Sequence, residues 1–213
     1  MIFSHFERAV IDALTWRVRV MSREQLAELG SLMGVASVRR KIHRLLSFGY
    51  IAQVDCAAHT VSLEKPLATW DADDLDMPDF GQVCWQAKAR TNGDGSTTIS
   101  KVFIAAKRAE TEFGGCGGKL RQPLQINHDL GTTSVFLAKV EFFGWEDCHD
   151  WTSEDILRRH YRHLNIEKIP DAAFVSNERI GCVIDFVGRD YSPMSLRKFH
   201  HHWSRRQIPY EVW

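Results

Sequence analysis

Apolar residues in the first fifty positions recur at helical spacing, in three runs. In "HFERAVIDALTWR" Phe6, Val10, Ala13 and Leu14 fall on one side, which predicts a helix. In "MSREQLAEL" Ser22 stands at an N-cap and Gln25 three residues later completes a capping-box spacing ahead of Leu26 and Leu29. Gly30 is expected to stop that helix. "VASVRRKIHRLLSFGYIAQV" predicts a third helix from about Ala36, with Val38, Ile42, Leu45 and Leu46 inward and Gly49 at its end. Its outer face carries Arg39, Arg40, Lys41, His43 and Arg44. "YIAQVDCAAHTVSLE" then reads as two strands, the second forming a wing, so residues 1–70 are expected to be a winged helix-turn-helix.

Periodicity is weaker over residues 71–127. "PLATWDADDLDMPDF" crowds Asp71, Asp73, Asp74, Asp76 and Asp79 and reads as an exposed acidic linker. It lacks the glycine and terminal glutamate that a calcium loop needs. "QVCWQAKARTNGDGSTTISKVFIAA" is expected to be a β-hairpin turning at "NGDG" and extending the first sheet. "AAKRAETEFGGCGGKL" reads as a helical turn ended by glycines that form a hinge. "GGCGGK" is not a phosphate loop, because Leu120 follows the lysine where Ser or Thr is required.

Residues 128–213 alternate again. "NHDLGTTSVFLAKVEFFGW" predicts a helix capped near Thr132 or Thr133, and "DWTSEDILRRHYRHL" fits either a strand or a short helix. "PDAAFVS" and "GCVIDFVG" read as apolar strands separated by "NERI". "SPMSLRKFHHHWSRR" is a helix with Ser192 as cap and Pro193 at its first position, and "IPYEVW" is a closing strand. The fold class is therefore α+β: an N-terminal winged helix-turn-helix with a β-hairpin extension, then a C-terminal α/β domain.

Composition adds a local asymmetry. The chain has 213 residues, an apolar fraction of 44% and a charged fraction of 25%, and its formal net charge is zero. Residues 1–50 nevertheless hold eight Lys/Arg against four Asp/Glu, residues 51–80 one against seven, and residues 186–213 five against two. Zero net charge excludes a uniformly cationic nucleic-acid coat, while the basic ends leave room for local DNA contact. No apolar run reaches the length of a membrane span, the start lacks the pattern of a signal peptide, and the five scattered cysteines form no CxxC pair. A cytoplasmic protein with reduced thiols and no membrane partner is expected.

The candidate chemistry lies in "IPDAAFVSNERIGCVIDFVG". A proline-aspartate opening one strand and an acid within the next resemble the restriction-endonuclease-like core, whose signature is PD, a spacer, then (D/E)xK. The resemblance implies that Asp171 and Asp185 are metal-binding acids, with Glu141, or else Glu154, as an extra acid. It implies Mg²⁺ or Mn²⁺ as the cofactor of an active site, whereas DNA binding requires none. Two such carboxylates suit Mg²⁺, which activates water and stabilises charge on phosphorus. The motif lysine is replaced by Val187, and Lys198 on the following helix, or Arg197, is the candidate to reach back.

A winged helix, then an "HDLG…VFLA" helix, "WTSE", a "PDA" strand and an "IDF" strand together resemble the plasmid replication-relaxation family. That resemblance implies a protein of plasmids or other mobile elements, serving replication, relaxation or mobilisation and binding DNA. The departure at Val187 moves the expectation from an enzyme to a DNA-binding relative of enzymes. Arg39, Arg40, Lys41, His43 and Arg44 are expected to contact double-stranded DNA. A metal-dependent deoxyribonuclease and a protein-docking adaptor are the alternatives, and replication or mobilisation proteins and a homodimer are the open partners. Zinc at "KFHHHW" with Cys148 and His149 is a weaker reading, because consecutive helical histidines point about 100° apart.

Overall fold

The structure, a computed structural model, describes residues 2–58, 63–91, 98–118, 120, 125–161 and 168–213. It is a mixed α+β chain. Helix α1 spans His5–Asp12, closed at its start by a reciprocal capping box between Ser4 and Glu7, and a π-type turn, Ala13–Arg17, follows it. Strand β1 (Met21–Ser22) leads into α2 (Arg23–Leu32), where Ser22 and Gln25 form the expected capping box. A turn through Gly34 and Ser37, both at φ 64°, delivers α3 (Val38–Ser47) and then β2 (Ile51–Ala58). Next come β3 (Ala68–Trp70), α4 (Phe80–Thr91), β4 (Thr98–Ala105), α5 (Lys107–Phe113) and α6 (Ile126–Phe143). The chain finishes with β5 (Trp151–Ser153), α7 (Glu154–His160), β6 (Ala172–Ser176), β7 (Arg179–Asp185), α8 (Pro193–Ser204) and β8 (Tyr210–Val212).

Internal contacts divide the chain into two units, Met1–Thr60 with Thr97–His149, and Val61–Ser96 with Asp150–Trp213. In the first, an antiparallel sheet runs β1-β4-β2, and β2 pairs along its whole length with β4, from Ile51↔Ala105 to Ala58↔Thr98. Val20, Val102, Ile104, Ile126 and Leu130 form a core cluster against this sheet. Helix α6 is tied in by buried polar contacts: Gln25 Nε2 donates to Leu130 O at 2.8 Å, and Thr133 Oγ1 to Val20 O at 2.6 Å.

In the second unit a five-stranded sheet runs β3-β8-β7-β6-β5. β5, β6 and β7 form an antiparallel meander, β7 and β8 are parallel through the α8 crossover, and β3 closes the far edge antiparallel to β8. The β6–β7 turn places Asn177 and Glu178 at φ 50° and 62°, as a tight two-residue hairpin requires. Val183 and Val187 pack in one core with Phe80, Val83, Cys84 and Ala87 of α4 and with Leu196, Phe199 and Trp203 of α8.

Several expectations are corrected. "QVCWQAKAR" is helical, not the first arm of a hairpin: Phe80, Val83, Cys84 and Ala87 follow the i, i+3, i+4, i+7 rule and are all buried. Asp79 caps this helix, its Oδ1 accepting from Gly81 N at 2.9 Å and Gln82 N at 3.1 Å. The "NGDG" turn falls outside the described residues. So do residues 59–62, where the second strand of the wing was expected; the strand that pairs with β2 is β4. The segment 71–127, expected as an acidic linker, a hairpin extension and a glycine hinge, is divided between the units, its residues up to Ser96 going with the second and those from Thr97 with the first.

Two helix boundaries and one hinge also change. Gly30 does not stop α2. It lies inside the helix, where an added Cβ would come within 2.2 Å of Val38 Cγ2, so it permits close approach of α3. α6 begins at Ile126, and Thr132 and Thr133 sit within it, their hydroxyls turned back to His128 O and Asp129 O. The glycines after α5 pack tightly where a flexible hinge was expected: a Cβ on Gly115 would approach Thr15 O to 2.4 Å, and Cys116 N donates to that same oxygen.

Candidate functional site

Helix α3 supplies the first candidate surface, and its five basic residues divide into two groups. Arg39, Arg40 and His43 are exposed. Lys41 and Arg44 instead turn back to the chain's start. Lys41 Nζ donates to Ser4 Oγ at 3.0 Å, and Arg44 donates to Ile2 O and sets its Nε 3.3 Å from Glu7 Oε1. The Glu7 side chain is completely buried, so the Arg44 charge offsets a carboxylate that water cannot reach. The expected basic face is therefore uneven, with Lys41 and Arg44 half-buried and paired with the chain's start while Arg39, Arg40 and His43 are exposed; the i, i+4 spacing that aligns Arg40 with Arg44 says nothing about what packs beside the lower end.

Beside the exposed group lies a cavity of about 370 Å³ bounded by α2, α3 and the β2–β4 strands. Leu26, Ile42 and Phe103 contribute apolar surface to it, while Arg23, Arg39, His43 and Lys101 bring cationic or ionisable groups.

The second candidate is the pair of acids. Asp171 immediately precedes β6 and Asp185 ends β7, and the antiparallel register Ala172↔Ile184 carries both to the same end of the sheet. Asp171 Oδ2 accepts the Phe186 N–H at 2.8 Å. Asp185 is 2% exposed and accepts a hydrogen bond from the Tyr191 phenol. Burial raises the pKa of that phenol well above its ordinary value, and the charges of Asp185, Asp171 and Glu154 raise it further, so Tyr191 stays protonated as a donor. Glu154 opens α7, and its own N–H donates to Asp171 O at 2.8 Å.

Around these acids the residues differ from those expected. Val187, at the motif-lysine position, is fully buried in the core that contains Leu196 and Phe199. Lys198 is exposed on α8. Lys168 is the lysine drawn to this part of the fold: its Nζ lies 3.4 Å from Ser195 O, 4.9 Å from the Phe199 ring centre and 5.9 Å from that of Tyr191. Arg90 on α4 donates to Val187 O at 3.0 Å and lies 4.8 Å from the Phe186 ring centre, and burial lowers its pKa. Glu141 is exposed on α6 in the first unit, where its charge adds to burial in raising the Glu28 carboxyl.

Tyr191, Lys168 and Arg90 were not singled out from sequence. "KIPD" places Lys168 three residues before Asp171, which is a usable signal, but Arg90 was hidden by reading its helix as a strand.

Chemically, the arrangement offers two carboxylates at neighbouring strand ends, with Glu154 tied to Asp171 through its backbone N–H. Both members of the pair already accept hydrogen bonds from the protein, and no group of three or more His, Cys, Asp or Glu able to hold a metal ion occurs among the described residues. Cys148, of the zinc reading, is buried with its thiol pushed up to about 11, mainly by burial, and His149 lies 2.9 Å from Glu146. Among the described residues no helix is long and apolar enough to cross a membrane. Comparison of the chain with protein-family models, curated proteins and solved structures finds no match in any of the three.

Proposed function

We propose that this chain is a double-stranded-DNA-binding protein, with a winged helix-turn-helix in its first unit and a restriction-endonuclease-like core of altered chemistry in its second. The observation that carries the reading is the order α1-β1-α2-α3-β2-β4 with sheet order β1-β4-β2, in which α3 is the recognition helix and β2 with β4 the wing. On this reading residues 61–96 are an insertion between the two wing strands that completes the second unit's sheet and core. Arg39, Arg40 and His43 then contact DNA, whereas Lys41 and Arg44 serve the fold.

The β5-β6-β7 meander, the α8 crossover and the parallel β8 support the nuclease-like half, with Asp171 and Asp185 at corresponding strand ends. Burial of Val187 supports its altered chemistry, because a lysine there would have to enter an apolar core. Such a protein would serve replication, relaxation or mobilisation of a plasmid or other mobile element.

A second reading, a metal-dependent endonuclease, is favoured by the convergence of Asp171, Asp185 and Glu154 on Tyr191. In it Asp171 and Asp185 would hold Mg²⁺ or Mn²⁺, which would supply an activated water and charge stabilisation at phosphorus. Lys168 is better placed than Lys198 as its cation. Gel retention and cleavage measured on the same DNA, with and without Mg²⁺ or Mn²⁺, test both. Retention without nicking is the expected result; nicking abolished by Asp185→Asn would favour the endonuclease, and neither retention nor nicking would sink both readings.

A further inference from the structure

The groove beside α3 has an unusual composition for a DNA-facing surface, since its floor is apolar and only its rim is basic. Phosphates would be drawn to Arg23, Arg39 and Lys101, but they offer nothing to Leu26, Ile42 and Phe103. A cavity of about 370 Å³ with that lining suits an acidic segment bearing apolar side chains.

Such a segment exists in the same chain. Asp71, Asp73, Asp74, Asp76 and Asp79 are all exposed, and between them Leu75 is 100% and Met77 48% exposed. The turn just ahead of Leu75 is closed by its own hydrogen bonds: Asp74 Oδ2 accepts from Asp71 N at 2.7 Å, and Asp74 N donates to Asp71 O at 3.0 Å. A segment that leaves a turn already closed loses less entropy on docking than a wholly extended one. Leu75 is fully exposed, so its side chain is available to a complementary apolar surface.

We propose that the groove between α2, α3 and the β2–β4 strands seats the acidic loop Asp71–Asp79 of a second copy of this chain, with Leu75 and Met77 on the apolar floor and the aspartates on the basic rim. The contact is head-to-tail, because groove and loop are different surfaces. It covers Arg39 and His43, so self-association and any other use of that helix face compete. A single loop buries less area than a standard interface, so the association is weak, and its charge pairing makes it salt-sensitive.

Sedimentation equilibrium of the full-length chain tests this without DNA, so its outcome is separate from that of the DNA-binding reading. Dimers and larger species are expected at about 50 mM salt and monomer at about 500 mM, as screening shortens the reach of the rim charges. Leu75→Ala and Lys101→Glu, both at exposed positions, should each weaken association at least about tenfold. Mixed together, these two variants still offer one intact loop and one intact groove, so they should form one-to-one dimers that grow no further. Monomer at both salt concentrations, association indifferent to both variants, or a mixture that stays monomeric would each overturn the proposal. Circular dichroism of each variant confirms that the fold is retained.

Discussion

The Asp171 carboxylate accepts the Phe186 N–H at 2.8 Å, so the acid that opens β6 also fastens the end of β7. A residue in this position has a structural task whether or not a metal ever binds. Asp171→Ala is expected to lower the second unit's stability by about 1–2 kcal/mol in urea unfolding without any metal, with Asp171→Asn losing less because it keeps an acceptor oxygen. An unchanged midpoint for the alanine variant would show that the bond contributes nothing to the fold.

Val187→Lys, the substitution that restores the motif lysine on paper, should not restore a nuclease. The position is fully buried against Leu196 and Phe199, so the ammonium must enter the core or the strand must shift. A loss of about 3 kcal/mol or more is expected in denaturant unfolding, with no gain of metal-dependent cleavage. Cleavage by a stable Val187→Lys protein would contradict this account of the site.

Arg44 and Arg39 should separate stability from binding. Arg44→Ala leaves the fully buried Glu7 carboxylate without its guanidinium and is expected to cost about 1–3 kcal/mol, less than a fully buried pair because Arg44 is 41% exposed. Arg39→Ala removes an exposed side chain and should change the unfolding free energy by less than about 0.5 kcal/mol. Equal stability of the two variants would remove the distinction drawn between them.

His200 is expected to make the second unit acid-sensitive. Burial, with the His201 charge adding, lowers its pKa below the ordinary 6.5, and its Nδ1 lies 3.0 Å from the Tyr210 hydroxyl. As the pH falls through about 6.5 the unfolded chain takes up this proton first, so stability drops from there until the folded-state pKa is passed. His200→Asn should flatten the unfolding free energy between about pH 7 and pH 5 relative to the parent protein, compared at matched salt. Identical pH profiles would show that His200 is not responsible.

The sequence was most legible where local signals agreed. Ser22 and Gln25 marked the start of α2, Ser192 and Pro193 that of α8, and the β-branched run in "GCVIDFVG" gave β7. It was least legible where tertiary packing decided. Phe80, Val83, Cys84 and Ala87 carry a helical period, but a turn-like "NGDG" downstream made a hairpin look plausible. The pairing of β2 with β4 joins segments far apart in sequence, Ala58 with Thr98, that no local pattern links, because the chain between them goes with the other unit.

The candidate site followed the same rule. Asp171 and Asp185 were visible as a spacing and Lys168 as a near neighbour of Asp171 in "KIPD", whereas Tyr191 joins the acids only through the fold. Basic residues on α3 were legible as a group, yet the loss of Lys41 and Arg44 to Ser4 and Glu7 depends on how the chain's start packs.

The central claim is that the exposed cations of α3 hold duplex DNA, and fluorescence anisotropy of a labelled duplex, titrated over a salt series, tests it most directly. Arg39→Ala/Arg40→Ala is expected to weaken affinity at least about tenfold at low salt and to reduce the salt slope by about two units, one for each lost phosphate contact. A double variant that binds with the parent's affinity and slope would contradict the account.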